Sequence, residues 1–267
     1  MSAAGKTHPD FSKVKHTLCV SGSSFTYKTP YGNFSATENQ IRPGEMFLFG
    51  MVKKDAANFA EAQPDILGAN FEPQYFRFYD DVFNYEDTIL CCNEFDIIAA
   101  YWNAARILGI IAPETYERGN SVSKKTRLAS LGALATVKNT FEYDPLKMEY
   151  KIIDSQKKET ASLFFLIADY VGRFMAEICE NHLALFFWVD AIFAAEHEIK
   201  ADICREYGLF FKKKPVQIRV IQDMAKVYVL DEQKERREFN LSRQTKRAEA
   251  SAKLAIIQAM REAQARK

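Results

Sequence analysis

With 36 lysines and arginines against 35 aspartates and glutamates in 267 residues, the chain has a formal net charge of +1, which removes any global electrostatic case for nucleic acid or an anionic membrane. A hydrophobic share of 48%, including 13% aromatics, excludes a disordered chain and is enough for one large domain or two small ones. Cys19, Cys91, Cys92, Cys179 and Cys204 are odd in number, lack C-x-x-C spacing and lie mostly among apolar neighbours; with no apolar leader at the start, they read as reduced thiols of a cytoplasmic, reducing compartment.

Residues 1–82 have the texture of an aromatic-rich β and loop region. The runs 17–20, 25–28, 33–36 and 46–52 are short, rich in aromatic and β-branched residues, and punctuated by Ser-Gly-Ser, Pro-Tyr-Gly and Arg-Pro-Gly, which predicts a small meander. Pro30-Tyr31-Gly32 supplies a hairpin connection. A short helix is expected over 53–62 and an aromatic loop over 64–79.

Residues 83–230 read as a helical core domain. Asn93 followed by Asp96 is a shortened capping box, after which Ile97, Ile98, Tyr101, Ala105 and Leu108 recur at helical spacing up to a stop at Gly109 and Pro113. A polar linker is expected over 113–123, then a helix over 124–141 through Leu128, Leu131, Leu134 and Val137, and then a loop with a short strand at 148–153. Asp154 and Ser155 are read as caps for a long central helix carrying Leu163, Ile167, Val171, Phe174 and Ile178 on one face. Asp169, Arg173, Glu177 and Glu180 form a charged row on another face, and Gly172 within the helix leaves room for a second backbone to approach.

Asn181 and His182 mark a break. Residues 183–195 are apolar nearly all round, which predicts a second, buried helix with Asp190 in need of a partner. A membrane span is not expected, because spanning takes about 20 predominantly apolar residues and Arg173, Glu177, Glu180 and Asp190 interrupt the stretch. Beyond Lys212-Lys213-Lys214-Pro215, the alternation of Val216, Ile218 and Val220 suits a strand, but the lack of glycine before Leu230 favours a helix. Residues 231–267 read as a charged C-terminal helix with a seam of Ala248, Ala252, Ala255, Ala259 and Ala263, about +5 beyond Ser242, that lies along another helix. The fold class that follows is mainly α within an α+β chain, a helical domain around two long apolar helices.

Chemistry is scarce. The four histidines are not spaced as ligands: no H-E-x-x-H is present, no glutamate precedes a histidine by three, and His197 between Glu196 and Glu198 does not make a metal site. Cys179 with His182 could activate a thiolate but reads as an inert core thiol. No phosphate-cradling glycine loop or nucleophile elbow occurs, so no catalytic residue, cofactor or metal is expected. The expected function is a non-enzymatic interaction or scaffold subunit of a larger intracellular multiprotein assembly, bound to other protein subunits through the tail and the N-terminal aromatic region. The alternatives are nucleic-acid binding through the basic tail and an unrecognised enzyme. The partner-contact candidates are Asp169, Arg173 and Glu177 on the central helix and Arg243, Arg247, Ile256, Met260 and Arg261 on the tail.

Overall fold

The computed structural model describes residues 15–21, 24–30, 32–37, 41–78, 89–182, 184–195, 199, 201–221, 226–231 and 236–240. In chain order the regular elements are β1 (His16–Ser21), β2 (Ser24–Thr29), β3 (Gly32–Thr37), α1 (Phe47–Ala62), β4 (Phe76–Phe78), β5 (Ile89–Ile97), α2 (Ala100–Ile107), α3 (Pro113–Asn120) and α4 (Lys124–Gly132). They continue with β6 (Val137–Asp144), β7 (Glu149–Lys157), α5 (Ala161–Asn181), β8 (Ala184–Trp188), β9 (Ala191–Ala194), α6 (Ala201–Tyr207), β10 (Phe211–Ile221), β11 (Lys226–Asp231) and β12 (Arg236–Asn240). The described strands form two wholly antiparallel sheets, so the fold is α+β and not the mainly α-helical domain that the sequence suggests.

The chain divides into two interleaved units, one comprising Met1–Pro73 with Tyr101–Tyr170, the other Gln74–Ala100 with Val171–Lys267. The first contains a meander sheet in the order β3-β2-β1-β6-β7. The runs read as strands at 17–20, 25–28 and 33–36 do form β1, β2 and β3, and Gly32 takes the positive φ of +131° that the turn needs. The run at 46–52 does not form a strand. Leu48, Val52, Ala56 and Ala60 repeat every four residues and are all buried, so the segment is the start of α1.

Two more helices of this unit differ from expectation at their ends. The supposed linker holds α3, opened by Pro113 at its first turn and capped from outside by Asp55, whose Oδ2 accepts the Ala112 N–H at 2.9 Å. The helix expected over 124–141 ends at Gly132, and Val137 opens β6. Its N-terminus is secured by Ser123, whose Oγ accepts from the Thr126 N–H, and by Glu45, which accepts both the Ser123 and Thr126 hydroxyls. The Thr126 hydroxyl is the main reason that the Glu45 carboxyl titrates below its usual range. Trp102, 1% exposed, lies so close to α3 that a Cβ on Gly119 would come within 2.0 Å of its ring, so this position admits only glycine.

The second unit contains the other sheet, in the order β12-β11-β10-β5-β9-β8-β4. Here the largest correction falls. Residues 183–195 are not a helix: 184–194 are the hairpin β8–β9, with Phe186 facing Phe193, Phe187 facing Ile192, and Val189 at a φ of +58° in the turn. A strand covered on both faces is apolar at every position, just as a buried helix is, and periodicity does not separate them. The helix expected over 93–108 is misplaced too, because Asn93 and Asp96, read as a cap, lie inside a strand. Residues 89–97 are the central strand β5, the chain turns through Ala99 at a φ of +47°, and α2 begins only at Ala100. Gly109, at a φ of +76°, does end the segment as expected.

Val216, Ile218 and their neighbours belong to strand β10, and the β11 ladder begins at Val216, so Pro215 lies just outside it. Part of the supposed terminal helix is also strand: 236–240 pair with β11 as β12, while 241–267 lie outside the described residues. The central helix survives as α5, but Asp154 and Ser155 do not cap it; they belong to β7. A Cβ at Gly172 would stand 2.7 Å from the Gln74 carbonyl oxygen, so this glycine does admit a backbone at close range. Among the described residues no helix is long and apolar enough to cross a membrane.

The second sheet curls. In a flat sheet β12 and β9 would be about 19 Å apart at four strand spacings. Yet the Phe239 ring lies 5.7 Å from Phe193, 5.6 Å from Phe186 and 5.2 Å from Trp188. The sheet therefore folds its two flanks toward each other as a partial barrel, filled by Cys92, Phe186, Phe193, Val216, Ile218, Val227 and Val229. Its outer face carries Phe95 and Phe211, and Phe174 of α5 stacks on Phe211 at 5.3 Å, so this sheet has packing on both sides.

Candidate interaction surface

Strand alternation and register divide the meander sheet into two unlike faces. One presents His16, Leu18, Val20, Tyr27, Phe141, Tyr143, Tyr150 and Ile152; the other presents Thr17, Cys19, Thr26, Lys28, Lys138, Thr140, Glu142 and Lys151. The aromatic face has a buried centre: His16, 4% exposed, stacks on Tyr143 at 4.8 Å and meets the edge of Tyr150 at 5.6 Å. His16 Nε2 is 2.9 Å from the Tyr150 hydroxyl. Burial, then the neighbouring Tyr27 and Tyr143, push the Tyr150 phenol above its ordinary pKa.

Toward β7 this face opens to solvent. Thirteen large hydrophobic residues of the described chain are exposed, and six of them, Val137, Leu146, Met148, Tyr150, Ile152 and Ile153, lie on the single hairpin β6–β7. Such a concentration marks a contact surface. The free edge of β7 is a poor template for strand addition. Phe141 pairs with Ile152 and Thr140 with Asp154, so Ile153 is a bulge in mid-strand, and Lys151 and Lys157 flank it. Bulges and lysines are devices that stop edge-to-edge pairing. The face of the hairpin, not its edge, is the available surface.

The curled sheet holds a cluster of paired charges. On its concave face Glu94 and Asp96 of β5 stand opposite Lys214 and Lys212 of β10. Glu94, its side chain 7% exposed, takes both guanidinium nitrogens of Arg237 at 2.6 Å each, and the Arg237 guanidinium also lies 5.9 Å from the centre of the Phe193 ring. Lys212 Nζ is 2.6 Å from Asp96, whose hydrogen bond and charge raise the lysine's pKa, with Glu94 and Asp190 adding to the effect. Asp190, which the sequence marked as needing a partner, thus acts on Lys212, and its carbonyl accepts the Ile97 N–H at 2.8 Å. These are mutually neutralised pairs and serve as a latch: Arg237 ties β12 over the concave face to β5, three strands away.

Burial pushes the Cys92 thiol up to about 12, so it stays protonated at neutral pH and is no nucleophile. Among the described residues no group of three His, Cys, Asp or Glu side chains could hold a metal ion.

The residues singled out on α5 divide between the two units. Asp169 belongs to the first unit, and Arg173 and Glu177 belong to the second. Arg173 is exposed, while Glu177 accepts the Tyr207 hydroxyl at 2.6 Å. Burial and that bond push the Tyr207 phenol up to about 12. Arg243, Arg247, Ile256, Met260 and Arg261 lie outside the described residues. The hairpin residues were overlooked because 124–141 was read as helix, although Asp144-Pro145 between Phe141, Tyr143 and Tyr150, Ile152 is a turn between two alternating runs. No local signal ties Glu94 to Arg237, which are 143 positions apart. No family model matches the chain, and neither the curated proteins nor the solved structures include a match.

Proposed function

We propose that this chain is a non-enzymatic protein-interaction subunit whose docking surface is the aromatic face of the meander sheet at the β6–β7 hairpin. The observation that carries the reading is the placement of six exposed large hydrophobic residues on that one hairpin. Such residues are costly in water and would be covered in an interface core, where aromatic side chains are enriched. Tyr150 adds an anchor of the kind that dominates interfaces, an aromatic ring already oriented by neighbouring rings.

The test compares the full chain with Ile152→Lys and Ile153→Lys as affinity baits in extracts of its native source, after nuclease treatment. Loss of the proteins that co-purify with the unchanged chain, with circular dichroism unaltered, is expected. Recovery of the same proteins in the same yield by both folded variants would sink the reading.

A further inference from the structure

We infer that the tip of the β6–β7 hairpin is an anchor for a partner protein that offers an apolar pocket with a basic rim. This rests on the interaction reading above and names the anchor and the chemistry of its receptor.

The turn Pro145-Leu146-Lys147-Met148 joins the two strands beyond their last pair, Asp144 with Glu149. Three features here work against the isolated chain. First, Leu146 is 94% exposed and Met148 74%, the two largest values among the exposed large hydrophobics of the described residues, so neither gains from burial in the fold. Second, Met148 sits at a φ of +53°, a left-handed conformation that a non-glycine residue adopts at a cost. Third, Asp144 and Glu149 stand directly opposite each other at the base of the turn, and like charges in that relation repel. The turn is nonetheless well built: Pro145 fixes its own φ, and Asp144 Oδ1 accepts the Leu146 N–H at 2.9 Å. Leu146 is thus carried on a backbone that is already ordered, and docking it costs little further entropy.

One receptor answers the exposed side chains and the opposed charges together. An apolar pocket removes Leu146 and Met148 from water, as an interface core does with its anchors. An arginine or lysine at the rim of that pocket places a cation beside the Asp144 and Glu149 carboxylates and relieves their repulsion. Lys147 offsets only one of these two carboxylates, so residues 144–149 keep a formal charge of −1 and the complementary rim is basic. An anionic bilayer is a poor receptor, because the same carboxylates would be brought against its headgroups and two aliphatic side chains bury too little to hold a chain on lipid.

The experiment uses the full chain as an affinity bait in an extract of its native source cleared of nucleic acid and membranes, over a series of salt concentrations. Leu146→Ser, Glu149→Lys and Asp144→Asn are run beside it, with circular dichroism as the check on folding. Leu146→Ser should weaken retention at least about tenfold at every salt concentration, as loss of an anchor does. Glu149→Lys should weaken it about threefold or more at low salt, and less as salt screens the rim. Asp144→Asn keeps an acceptor for the Leu146 N–H, so its effect reads charge rather than turn geometry. A photoreactive phenylalanine analogue in place of Leu146 should cross-link to a partner segment in which apolar residues adjoin arginine or lysine. Leu146 and Glu149 are exposed, so their variants should stay folded. Tighter retention by Glu149→Lys, cross-links to an acidic segment or to another copy of this chain, or capture by phosphatidylserine vesicles in place of proteins would overturn the inference. The two claims separate: if Ile152→Lys and Ile153→Lys lose the co-purifying proteins while Leu146→Ser keeps them, the interaction reading stands without this anchor. If the unchanged chain retains nothing, or all three variants keep what it retains, both fall.

Discussion

The two sheets are both antiparallel and both built from short strands, yet one completes its own core and the other does not. The curled sheet brings Phe186, Phe193 and Phe239 together by bending, and packs Phe211 of its outer face against Phe174. The meander sheet gathers His16, Tyr143 and Tyr150 in a small aromatic nest and leaves Ile152 and its neighbours in solvent. What differs is closure rather than composition. A sheet that curls far enough satisfies its own concave face, and one that stays open leaves that work to another layer.

Truncation breaks this comparison most sharply. Phe186→Ala should cost about 3–5 kcal/mol, because the ring is fully buried and stacks on Phe193 at 4.3 Å; chemical denaturation measures it, and a loss below about 1 kcal/mol would mean that the curled sheet is not a packed core. Arg237→Ala should cost about 2 kcal/mol or more by stranding the Glu94 carboxylate, and adding Glu94→Leu should restore most of that loss. If the double variant is no better than the single one, the latch is not what holds β12.

Alkaline pH should act mainly through the second unit. The raised thiol of Cys92 and phenol of Tyr207 mean that the folded chain holds these protons after the unfolded chain has released them, so their stabilisation is complete below about pH 9 and is lost as pH rises toward about 12. A denaturation midpoint that rises over this window would contradict the assignment. A thiol reagent at pH 8 should label exposed Cys91 and spare Cys92 until the protein unfolds. The smallest effect belongs to the meander sheet. Ile152→Thr should change monomer stability by no more than about 0.5 kcal/mol, and a larger loss in a monomer would show that the residue is already covered.

Legibility followed local geometry. The first meander strands, the stop at Gly109, the α5 face through Val171, Phe174 and Ile178, and the close approach at Gly172 depend on neighbours within a few residues, and each was readable. The β6–β7 hairpin was half visible: a strand was expected at 148–153, but its partner was hidden because Leu128, Leu131, Leu134 and Val137 keep helical spacing straight through Gly132 into β6. The β8–β9 hairpin was read as a helix because a run buried on both faces carries no period at all.

The amino-acid sequence by itself determined that the chain folds around an oily aromatic core, where several turns and one long helix lie, and that no familiar catalytic or metal pattern is present. Only the tertiary structure decided that 89–97 and 184–194 are strands, since burial on both faces is a property of neighbours and not of spacing. It alone joined Glu94 to Arg237 across the bend of the curled sheet, and left the β7 side of the meander sheet exposed, because closure depends on how far a whole sheet curves.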